Sequence, residues 1–492
     1  MLDKVLLKFS ENPADSFTIN DAVNGVSIIG EASNSVMTSS GKSLAIQYLK
    51  QGWGGVVLCS KTDDATIWKA YCKETGREDD LIVFSSGSKH LNGNHVGERI
   101  VFNPLDYEMK RAGGAFNLTN IFMNSYYIGN QVVRERDTPD DRYWDTSLRR
   151  LINRVIELVH LAGEELSYKN MVKILSSSDT VNEERYLHKL LELKKSNDLS
   201  IIENEENYCL KCILKAYSLF FNHEPQETTE SVSSFELAYE YFLCILPSLS
   251  IKTKSVITES FMSLVEPFLS GILSKHFSGK TNVFPEWAYE QNKVIVLDFP
   301  FTDFPGIGVL AQSIFKLLFQ FAVERRDMHI YPNPVFLWAN DAQYFLNHYE
   351  REFLSNSRQS RTAVLFLAQS IQDYNFAMRS NQYANSNLDS LMGNLSTKIF
   401  HANSDSVTNH YASNLIGEDI QLKDNSSGSF LPFKTNQAIR FLCPQVLPKE
   451  FTMLKTGGKE NDFIVDAIVF MTGKKWSTGA NFIGASFKQS FG

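Results

Sequence analysis

The sequence has no excess of positive charge. It carries 48 lysines and arginines against 56 aspartates and glutamates, and its formal net charge at pH 7 is -8. A chain with this balance has no general basic field that would draw it onto DNA or an anionic membrane. Any contact with nucleic acid must therefore come from a local surface, such as the lining of a channel.

Long apolar runs are also missing. No stretch approaches the roughly 18 continuous apolar residues of a membrane-spanning helix. The first residues, MLDKVLLKFSENP, are too short and too charged for a signal peptide. We therefore expect no membrane span and a soluble, cytoplasmic chain.

Cysteine is scarce and scattered. The 6 cysteines among 492 residues form no compact framework, so reduced thiols are the default. Cys209 and Cys212 form a CxxC pair, but no second pair or paired histidine follows at zinc-ligand spacing. Because the pair lies in a helix-like run from Tyr208 to Phe221, we expect a helix face there. A metal or redox site is the minor alternative.

Apolar and aromatic residues are plentiful. Hydrophobic residues make up 43% of the chain, with 35 phenylalanines and 19 tyrosines, which is ample material for buried cores. A chain of 492 residues is too long for one hydrophobic core under ordinary scaling. Two domains, or one domain with a large insertion, are expected.

The first part of the chain alternates between strand and helix patterns. From Val26 to Ser60, an apolar run (VSII), a Gly/Ser-rich loop, a helix-like segment and a second apolar run (GVVLCS) follow one another. This order indicates a βαβ unit. The strings LIVF (81–84) and RIVF (99–102) are further candidates for buried parallel strands.

The pattern becomes helical after about Asp145. The run LRRLINRVIELVHLAG places its apolar residues at helical spacing, and Gly163 then supplies a stop. Ser167 is a candidate cap for the next helix, ERYLHKLLELKK is another amphipathic segment, and Glu224 to Ser234 is predicted to be a loop. We predict an all-α domain over residues 146–284.

Strand patterns return after this helical segment. They are VIVLDFP (294–300), VFLWANDAQYF (335–345), AVLFLAQS (363–370), TKIFHAN (397–403) and FIVDAIVF (463–470). The sequence therefore predicts an α/β domain with a mostly parallel sheet. This domain is split into residues 1–145 and 285–492 by the all-α domain.

The strand, Gly/Ser-rich loop and helix near the N-terminus are the place to look for a phosphate-binding loop. Backbone N–H groups and a helix N-terminus there favour anions. The motif is Gly, four residues, then Gly-Lys-Ser/Thr. Counted from Gly30, its last three positions fall on Ser35, Val36 and Met37, so the lysine and the hydroxyl that binds magnesium are both missing.

A second register keeps the lysine and loses the tight turn. Counted back from Gly41-Lys42-Ser43, the first glycine position falls on Val36, and the loop after the strand is too long. Lys42 would then face phosphates and Ser43 the metal ion. A solvated helix start with Lys42 exposed is the alternative.

Three further groups are candidates for the chemistry of a nucleotide site. The strand VFLWA ends in Asn340-Asp341, where P-loop ATPases place the aspartate that holds magnesium and often a glutamate that polarises water. Gln369, at the polar end of AVLFLAQS, could sense a γ-phosphate. Arg358 and Arg361 are candidates for an arginine that reaches a neighbouring subunit's nucleotide, or else are simply solvated.

The order of these segments resembles the TraG/TraD family of type IV secretion coupling proteins, relatives of the FtsK and HerA translocases. The resemblance covers most of the chain, and it rests on these strings: GVSIIG, YLKQGWGGVVLCSKTDDATIW, DDLIVFSSGS, VFNPLDYE, FSGKTNVFPEWAYEQNKVIVLDFP, VFLWANDAQYFL, AVLFLAQSIQDY, STKIFHANSDSVTNHYASNLIG and FTMLKTGGKENDFIVDAIVF.

The resemblance implies a RecA-like P-loop domain interrupted by an all-α domain. It also implies a homo-hexameric ring that uses ATP and magnesium and hands relaxase-bound single-stranded DNA, or protein substrates, to a type IV secretion channel. Many members carry an N-terminal membrane anchor, which we do not find here. The chain is therefore expected to be a soluble variant or a form without the anchor, cytoplasmic or held through partners at the inner face of the bacterial inner membrane.

The family's loop reads Gly-Ala-Thr-Gly-Ser-Gly-Lys-Thr, followed by a further Ser/Gly-rich turn before the helix. Laid on this pattern, Gly30 keeps the first glycine, Ser33 and Ser35 replace glycines, Val36 replaces the lysine and Met37 replaces the threonine.

Two other parts of the pattern shift with it. The triplet Gly41-Lys42-Ser43 falls in the later turn, and the Asp-Glu pair that ends the acidic strand becomes Asn340-Asp341. The phosphate-binding loop and the acidic strand end that binds magnesium are thus both altered.

Two functions remain open on these grounds. One is a hexameric motor with impaired ATP hydrolysis, in which Lys42, Ser43 and Asp341 serve as displaced groups. The other is a pseudo-ATPase that keeps the fold for substrate docking or ring assembly.

Overall fold

The computed structural model describes residues 2–30, 36–91, 96–111, 113–129, 139–196, 198–221, 229–347, 349–378, 384–423 and 439–490. The chain divides into two compact units. One comprises Met1–Val83, Glu286–Thr302 and Phe319–Gly492, and the other comprises Phe84–Pro285 and Asp303–Leu318. The predicted helical domain, 146–284, falls within the second range. Its boundaries, and those of the flanking parts, remain a prediction.

The described strands are short and mostly apolar. They are β1 Val5–Lys8, β2 Ser16–Thr18, β3 Val26–Ile29, β4 Gly55–Leu58, β5 Leu81–Ser85, β6 Val294–Asp298, β7 Val335–Ala339, β8 Thr362–Ala368, β9 Thr397–Phe400, β10 Glu418–Lys423, β11 Ile439–Pro444, β12 Ile464–Met471 and β13 Phe482–Lys488.

Nine of these strands form one sheet in the order β13-β12-β9-β3-β8-β7-β4-β6-β5. The strands from β9 to β6 pair in parallel, whereas β12 pairs antiparallel with both β9 and β13. Two separate ribbons, β1-β2 and β10-β11, are antiparallel. The predicted mostly parallel α/β sheet is thus confirmed, with the middle strands buried along their whole length as their continuous apolar runs indicate.

The described α-helices connect these strands and build the second unit. They are α1 Ile19–Val23, α2 Ser40–Lys50, α3 Asp64–Glu74, α4 Pro104–Met109, α5 Gly114–Gly129, α6 Pro139–Leu161, α7 Tyr168–Ser178, α8 Glu183–Ser196, α9 Ser200–Glu203, α10 Tyr208–Phe221, α11 Thr229–Glu240, α12 Leu246–Ser248, α13 Ile251–Val265, α14 Gly271–His276, α15 Trp287–Glu290, α16 Ile307–Arg325, α17 Glu350–Asn356, α18 Ile371–Met378, α19 Ala384–Asn394, α20 Ser406–Ile416 and α21 Pro448–Phe451. A π-helical turn, Tyr241–Ile245, separates α11 from α12.

The core of the first unit lies between one face of the sheet and helices α1 to α3. Alternate strand residues such as Ile28, Val57 and Leu365 form one buried cluster with apolar side chains of these helices. Aromatic rings fill the space beneath α3, where Trp68 stacks on Phe336 and meets Trp338 edge to face. This packing holds α2 and α3 against the carboxyl-terminal half of the sheet.

The second unit is helical along residues 146–284 where it is described. Helix α6 ends near Gly163, which adopts a left-handed backbone, and the Ser167 hydroxyl caps α7 by accepting from the N–H of Asn170. Both signals were predicted. Phe84, Phe102 and Phe277 pack together as an aromatic cluster at the other end of this unit.

Two sequence predictions are wrong. RIVF is not a strand, because its backbone groups bond to the end of α14 and to the segment after it: the N–H of Phe102 donates to the carbonyl of His276, and that of Val101 to the side chain of Asn282. The loop predicted at Glu224 to Ser234 is helical from Thr229 onward. Residues 222–228 lie outside the described part of the chain.

Helix α16 is long and apolar enough to cross a membrane by length and composition. About 83% of its most apolar window is buried within the structure, as in the core helices of globular proteins. Among the described residues it is the one helix that passes this test, and it is weak evidence for a membrane span.

The CxxC pair lies on a helix, as predicted. Cys209 and Cys212 are buried in α10, and both thiols are free. Burial raises the pKa of Cys209 well above its usual value and that of Cys212 to about 12, so both remain protonated. Protonated, buried thiols do not favour the alternative of a metal or redox site.

Candidate functional site

A pocket lies where four parallel strands end. Strands β3, β8, β7 and β4 are consecutive neighbours in the sheet, so their carboxyl ends meet at one edge. In open α/β sheets this edge is where ligands bind. The residues that line the pocket are Gly30, Val36, Met37, Ser60, Lys61, Asp64, Asn340, Asp341, Leu367 and Ala368.

Gly30 follows β3 in a tightly packed position. A Cβ atom added there would lie 2.8 Å from the Cβ of His401 and 3.0 Å from a methyl group of Val36. The glycine is thus required by protein atoms that already occupy the space beside it. Ser33 and Ser35, the other predicted loop residues, lie outside the described residues.

His401 is buried beside this glycine as a neutral imidazole. Its Nδ1 lies 2.9 Å from the carbonyl oxygen of Asp466, which can only accept, so Nδ1 carries the proton. Its Nε2 therefore accepts from the Ser40 hydroxyl at 2.7 Å. Burial lowers the pKa of His401 to about 4, so the ring adds no positive charge near the pocket at neutral pH.

The triplet Gly41-Lys42-Ser43 lies inside the first turn of α2, and not in a turn that precedes the helix as the family pattern implied. Gly41 is a packing residue. A Cβ atom there would approach the carbonyl oxygen of Val36 to 3.0 Å and the Trp338 ring to 3.6 Å.

The functional groups of Lys42 and Ser43 are both engaged within the structure. The Lys42 ammonium pairs with Glu74 of α3 at 2.8 Å, and only 14% of its side chain is exposed. The Ser43 hydroxyl donates to the carbonyl of Ser39, one turn back in the same segment. Neither residue lines the pocket. Lys42 is thus neither a solvated helix start nor part of a phosphate cradle in this arrangement.

Asp341 and Asn340 do reach the pocket. Asp341 adopts a left-handed backbone after β7, with φ 46°, and its Oδ2 accepts a 2.6 Å hydrogen bond from the Ser60 hydroxyl across the sheet. A left-handed non-glycine residue at a strand end is a mild strain that often marks functional sites. The Asn340 Oδ1 accepts from the Trp338 indole, and the Asn340 side chain also contacts the Asp64 carboxyl, where it acts to lower the pKa of Asp64 against the effect of burial.

Three residues of the pocket were not assigned roles from the sequence. Ser60, Lys61 and Asp64 follow β4, and the Asp64 Oδ2 accepts the backbone N–H groups of Ser60 at 2.8 Å and Lys61 at 2.9 Å. Burial raises the pKa of the Asp64 carboxyl, and the negative charge of Asp341 acts in the same direction. The Lys61 ammonium lies 3.9 Å from the Asp341 Oδ2. These residues belong to the string SKTDD, which is part of the family resemblance. Only the pairing of β4 with β7 shows that they face Asp341.

The remaining candidates do not line the pocket. The exposed side chain of Gln369 follows Ala368, and its backbone carbonyl accepts from Asn403. Arg358 and Arg361 precede β8, and Arg361 is seven residues from the pocket end of this strand, or roughly 23 Å at strand spacing. Arg361 donates to the carbonyl of Pro332. A contact of either arginine with a nucleotide would have to be made in another subunit, and it remains a prediction.

The described residues do not fit a magnesium nucleotide. Val36, Met37, Leu367 and Ala368 give one side of the pocket an apolar lining. Two carboxyl groups face it, and its one described cation is Lys61. The segment 31–35, EASNS, adds no lysine or arginine by sequence. Among the described residues, no group of three His, Cys, Asp or Glu side chains could hold a metal ion.

No protein-family model matches the sequence, and no curated protein matches it at a significant level. Solved structures do match. The unbound bacterial conjugative coupling protein TrwBdeltaN70 superimposes with a TM-score of 0.60 at 11% identity, over 98% of this chain and 90% of that one. The plasmid coupling protein TrwB with ADP and Mg²⁺ gives 0.55 at 12% identity, over 98% and 90%. TrwB with a non-hydrolysable ATP analogue gives 0.56 at 12% identity, over 99% and 94%.

These likenesses show the fold. The chain has the fold of the conjugative coupling protein TrwB, so the RecA-like P-loop architecture with a helical insertion, expected from the TraG/TraD resemblance, is confirmed. At 11–12% identity, the nucleotides and the magnesium ion named for TrwB remain properties of TrwB.

Proposed function

We propose that this chain is a coupling-protein-like component of a type IV secretion system that does not turn over ATP. It would hand DNA with its relaxase, or protein substrates, to the secretion channel. The proposal combines the two functions left open by the sequence. The proposed partners are those of the motor, and the inactive nucleotide site is that of the pseudo-ATPase.

The fold supports the first half of this proposal. A TrwB-like architecture spans 98% of the chain, and a pocket lies at the strand ends of its sheet. We infer from this likeness that the working form is a homo-hexameric ring, in the cytoplasm or held by partners at the inner face of the bacterial inner membrane. The helical unit would present cargo.

The position of Lys42 supports the second half of the proposal, the absence of ATP turnover. Its ammonium is bound to Glu74, and Val36 and Met37 line the pocket in place of a lysine and a hydroxyl. Loss of one preorganised charged group at an active site commonly costs a factor of about 100 or more in rate. Here the phosphate-binding cation and the magnesium-binding hydroxyl are both displaced.

The direct test is ATP turnover by the purified chain, with and without single-stranded DNA. We expect no hydrolysis above the background at any DNA concentration, and the same result for Lys42→Ala. DNA-stimulated hydrolysis that disappears in Asp341→Asn would show that the chain is a working motor.

A cellular test addresses the secretion role separately. In a host that lacks the chain, substrate transfer should fail and should be restored equally by the wild type and by Lys42→Ala. Restoration by the wild type alone would mean that Lys42 has a function beyond its pair with Glu74. Normal transfer without the chain would contradict a role in secretion.

A further inference from the structure

The pocket holds two carboxyl groups, and their negative charge is unbalanced unless a positive side chain lies beside them. Asp64 and Asp341 both bond to Ser60: the Ser60 hydroxyl donates to Asp341 at 2.6 Å, and its backbone N–H donates to Asp64 at 2.8 Å. Two carboxyl groups so placed repel one another when both are ionised. In a nucleotide-loaded P-loop site a magnesium ion would offset such charges, but the described residues here do not fit one.

Lys61 is the residue that can compensate. It follows Ser60 directly, it lines the pocket, and its ammonium lies 3.9 Å from the Asp341 Oδ2. Its side chain is 39% exposed, so the ammonium is near the acids while still partly hydrated. Partial hydration removes most of the penalty that a fully buried lysine would carry.

Other positive groups near α2 do not serve the pocket. Lys42 is bound to Glu74 at 2.8 Å and does not line the pocket. His401 is held neutral by its burial, which lowers its pKa to about 4. The Asn340 Nδ2 is a hydrogen-bond donor beside the Asp64 carboxyl, so it brings no positive charge to the acids and cannot be a ligand for a cation.

We propose that Lys61 is a built-in counter-ion: it takes the place that magnesium and the P-loop lysine hold in an active site, and it keeps the Asp64–Asp341 pair stable without nucleotide or metal. This inference rests on the proposed inactive site and explains how such a site persists. It makes Lys61 a positioning residue that fixes the charge of the pocket.

The proposal predicts what happens when the ammonium is removed. In Lys61→Met the two carboxyl groups and the Ser60 hydroxyl remain, and these are the hard oxygen ligands that Mg²⁺ and Mn²⁺ prefer. The variant should therefore acquire a response to divalent cations that the wild type lacks. A residue that served only to pack the loop would give no such response when replaced.

The experiment is thermal unfolding of the full chain in MgCl2 or MnCl2, against NaCl at equal ionic strength. We expect the Tm of Lys61→Met to rise by at least about 2 °C with the divalent salts, while the Tm of the wild type and of the matched control Lys42→Met does not. Lys61→Arg should behave as the wild type. The double variant Lys61→Met/Asp341→Asn should lose the response, because one of the two acids is gone.

Several results would overturn the proposal. They are an equal divalent response in the wild type, an equal response in Lys42→Met, or none in Lys61→Met. Lys61→Gln provides a second neutral variant, with the same expectations, should the methionine variant fold poorly.

A nucleotide arm separates this inference from the proposed function. If magnesium ATP stabilises the wild type, and Lys61→Met but not Lys42→Met abolishes the effect, the inactive-site proposal fails. Lys61 would then still be the cation of the pocket, but as a ligand of phosphates. If Lys42→Met alone abolishes the effect, both proposals fail.

Discussion

At the residue scale, burial decides which ionisable groups near the strand ends carry charge. His401 and Lys398 lie on or directly after β9, and both are almost fully buried with no carboxylate bonded to them among the described residues. Each is bonded to a backbone carbonyl, Asp466 for His401 and Leu395 for Lys398. Their charged forms are therefore costly, and the stability of the fold should depend on pH through them.

The histidine predicts a loss of stability in mild acid. The folded pKa of His401 is lowered to about 4 from an unfolded value near 6.5. Between these values the unfolded chain binds more protons, so stability falls as pH drops from 6.5 and levels off below 4, by up to about 3 kcal/mol in total. Urea unfolding at pH 4.5, 5.5 and 7 should show this slope. In His401→Gln the slope should be shallower over the same window, and an unchanged slope would contradict the account.

Lys398 predicts a dependence of stability on pH at the alkaline end of the range. Burial lowers the folded pKa of Lys398 to about 8, against 10.5 in the unfolded chain. Because its charge is buried at pH 7, Lys398→Met should be more stable than the wild type there, by as much as about 3 kcal/mol.

This advantage should shrink as pH rises from 8 to 10.5, where the folded wild type sheds its proton while the unfolded chain keeps it. Denaturation by urea at pH 7 and pH 10 measures the difference. Lys50→Met, at the exposed end of α2, is the control and should show no such trend. A destabilised Lys398→Met at pH 7 would mean that the ammonium is better solvated than its surroundings indicate.

At the element scale, close approach between backbones explains several glycines that have no catalytic role. A Cβ atom on Gly54, before β4, would lie 2.2 Å from the carbonyl oxygen of Ala288 and 2.6 Å from that of Lys293. The glycine lets α15 and the start of β6 pack directly against the entry of β4.

Gly54→Ala should therefore destabilise the fold by about 3 kcal/mol, since neither carbonyl belongs to a flexible side chain. Gly484→Ala is the control, because β13 leaves open space around that position. It should change the free energy of unfolding by less than about 1 kcal/mol, and in the stabilising direction. Equal effects of the two substitutions in urea unfolding would refute this view of the β4 entry.

The elements themselves were largely predictable. Short apolar runs bounded by turn residues marked β3, β4 and β6 to β9 because strands buried on both faces carry no alternation to obscure them. RIVF has the same composition but bonds to the end of α14 and the segment after it, which no local pattern reveals. The β10-β11 ribbon was missed because half of β10 (EDIQLK) is charged and the apolar run of β11 (IRFLCP) is short and partly exposed, with Leu442 68% exposed.

The site was predicted less well than the elements, for a physical reason. Asp341 was found because it ends an apolar strand, and Gly30 for the same reason. The role of Lys61 depends on which strands are neighbours: β4 lies beside β7, so Lys61 meets a residue 280 positions away. Gly41-Lys42-Ser43 matched half a motif, yet its lysine pairs with Glu74 and its glycine packs on Trp338. Sequence spacing cannot distinguish these uses of the same residues.

At the scale of the whole molecule, the chain has the fold of a coupling protein, and we propose that it lacks the phosphate-binding groups of an active site. The TrwB-like architecture spans 98% of the chain, and its strand-end pocket holds an Asp64–Asp341 pair with Lys61 beside it. Under the proposed function, such a protein would form a ring and present cargo without turning over ATP. Energy for transport would then come from other members of the secretion apparatus.

Calorimetric titration of magnesium ATP into the purified wild-type chain tests this claim most directly, with Lys42→Ala titrated beside it. The account predicts no measurable heat of binding for either protein. Tight binding that requires magnesium and is lost in Lys42→Ala would contradict it, because Lys42 would then have left Glu74 to hold the phosphates of an active site.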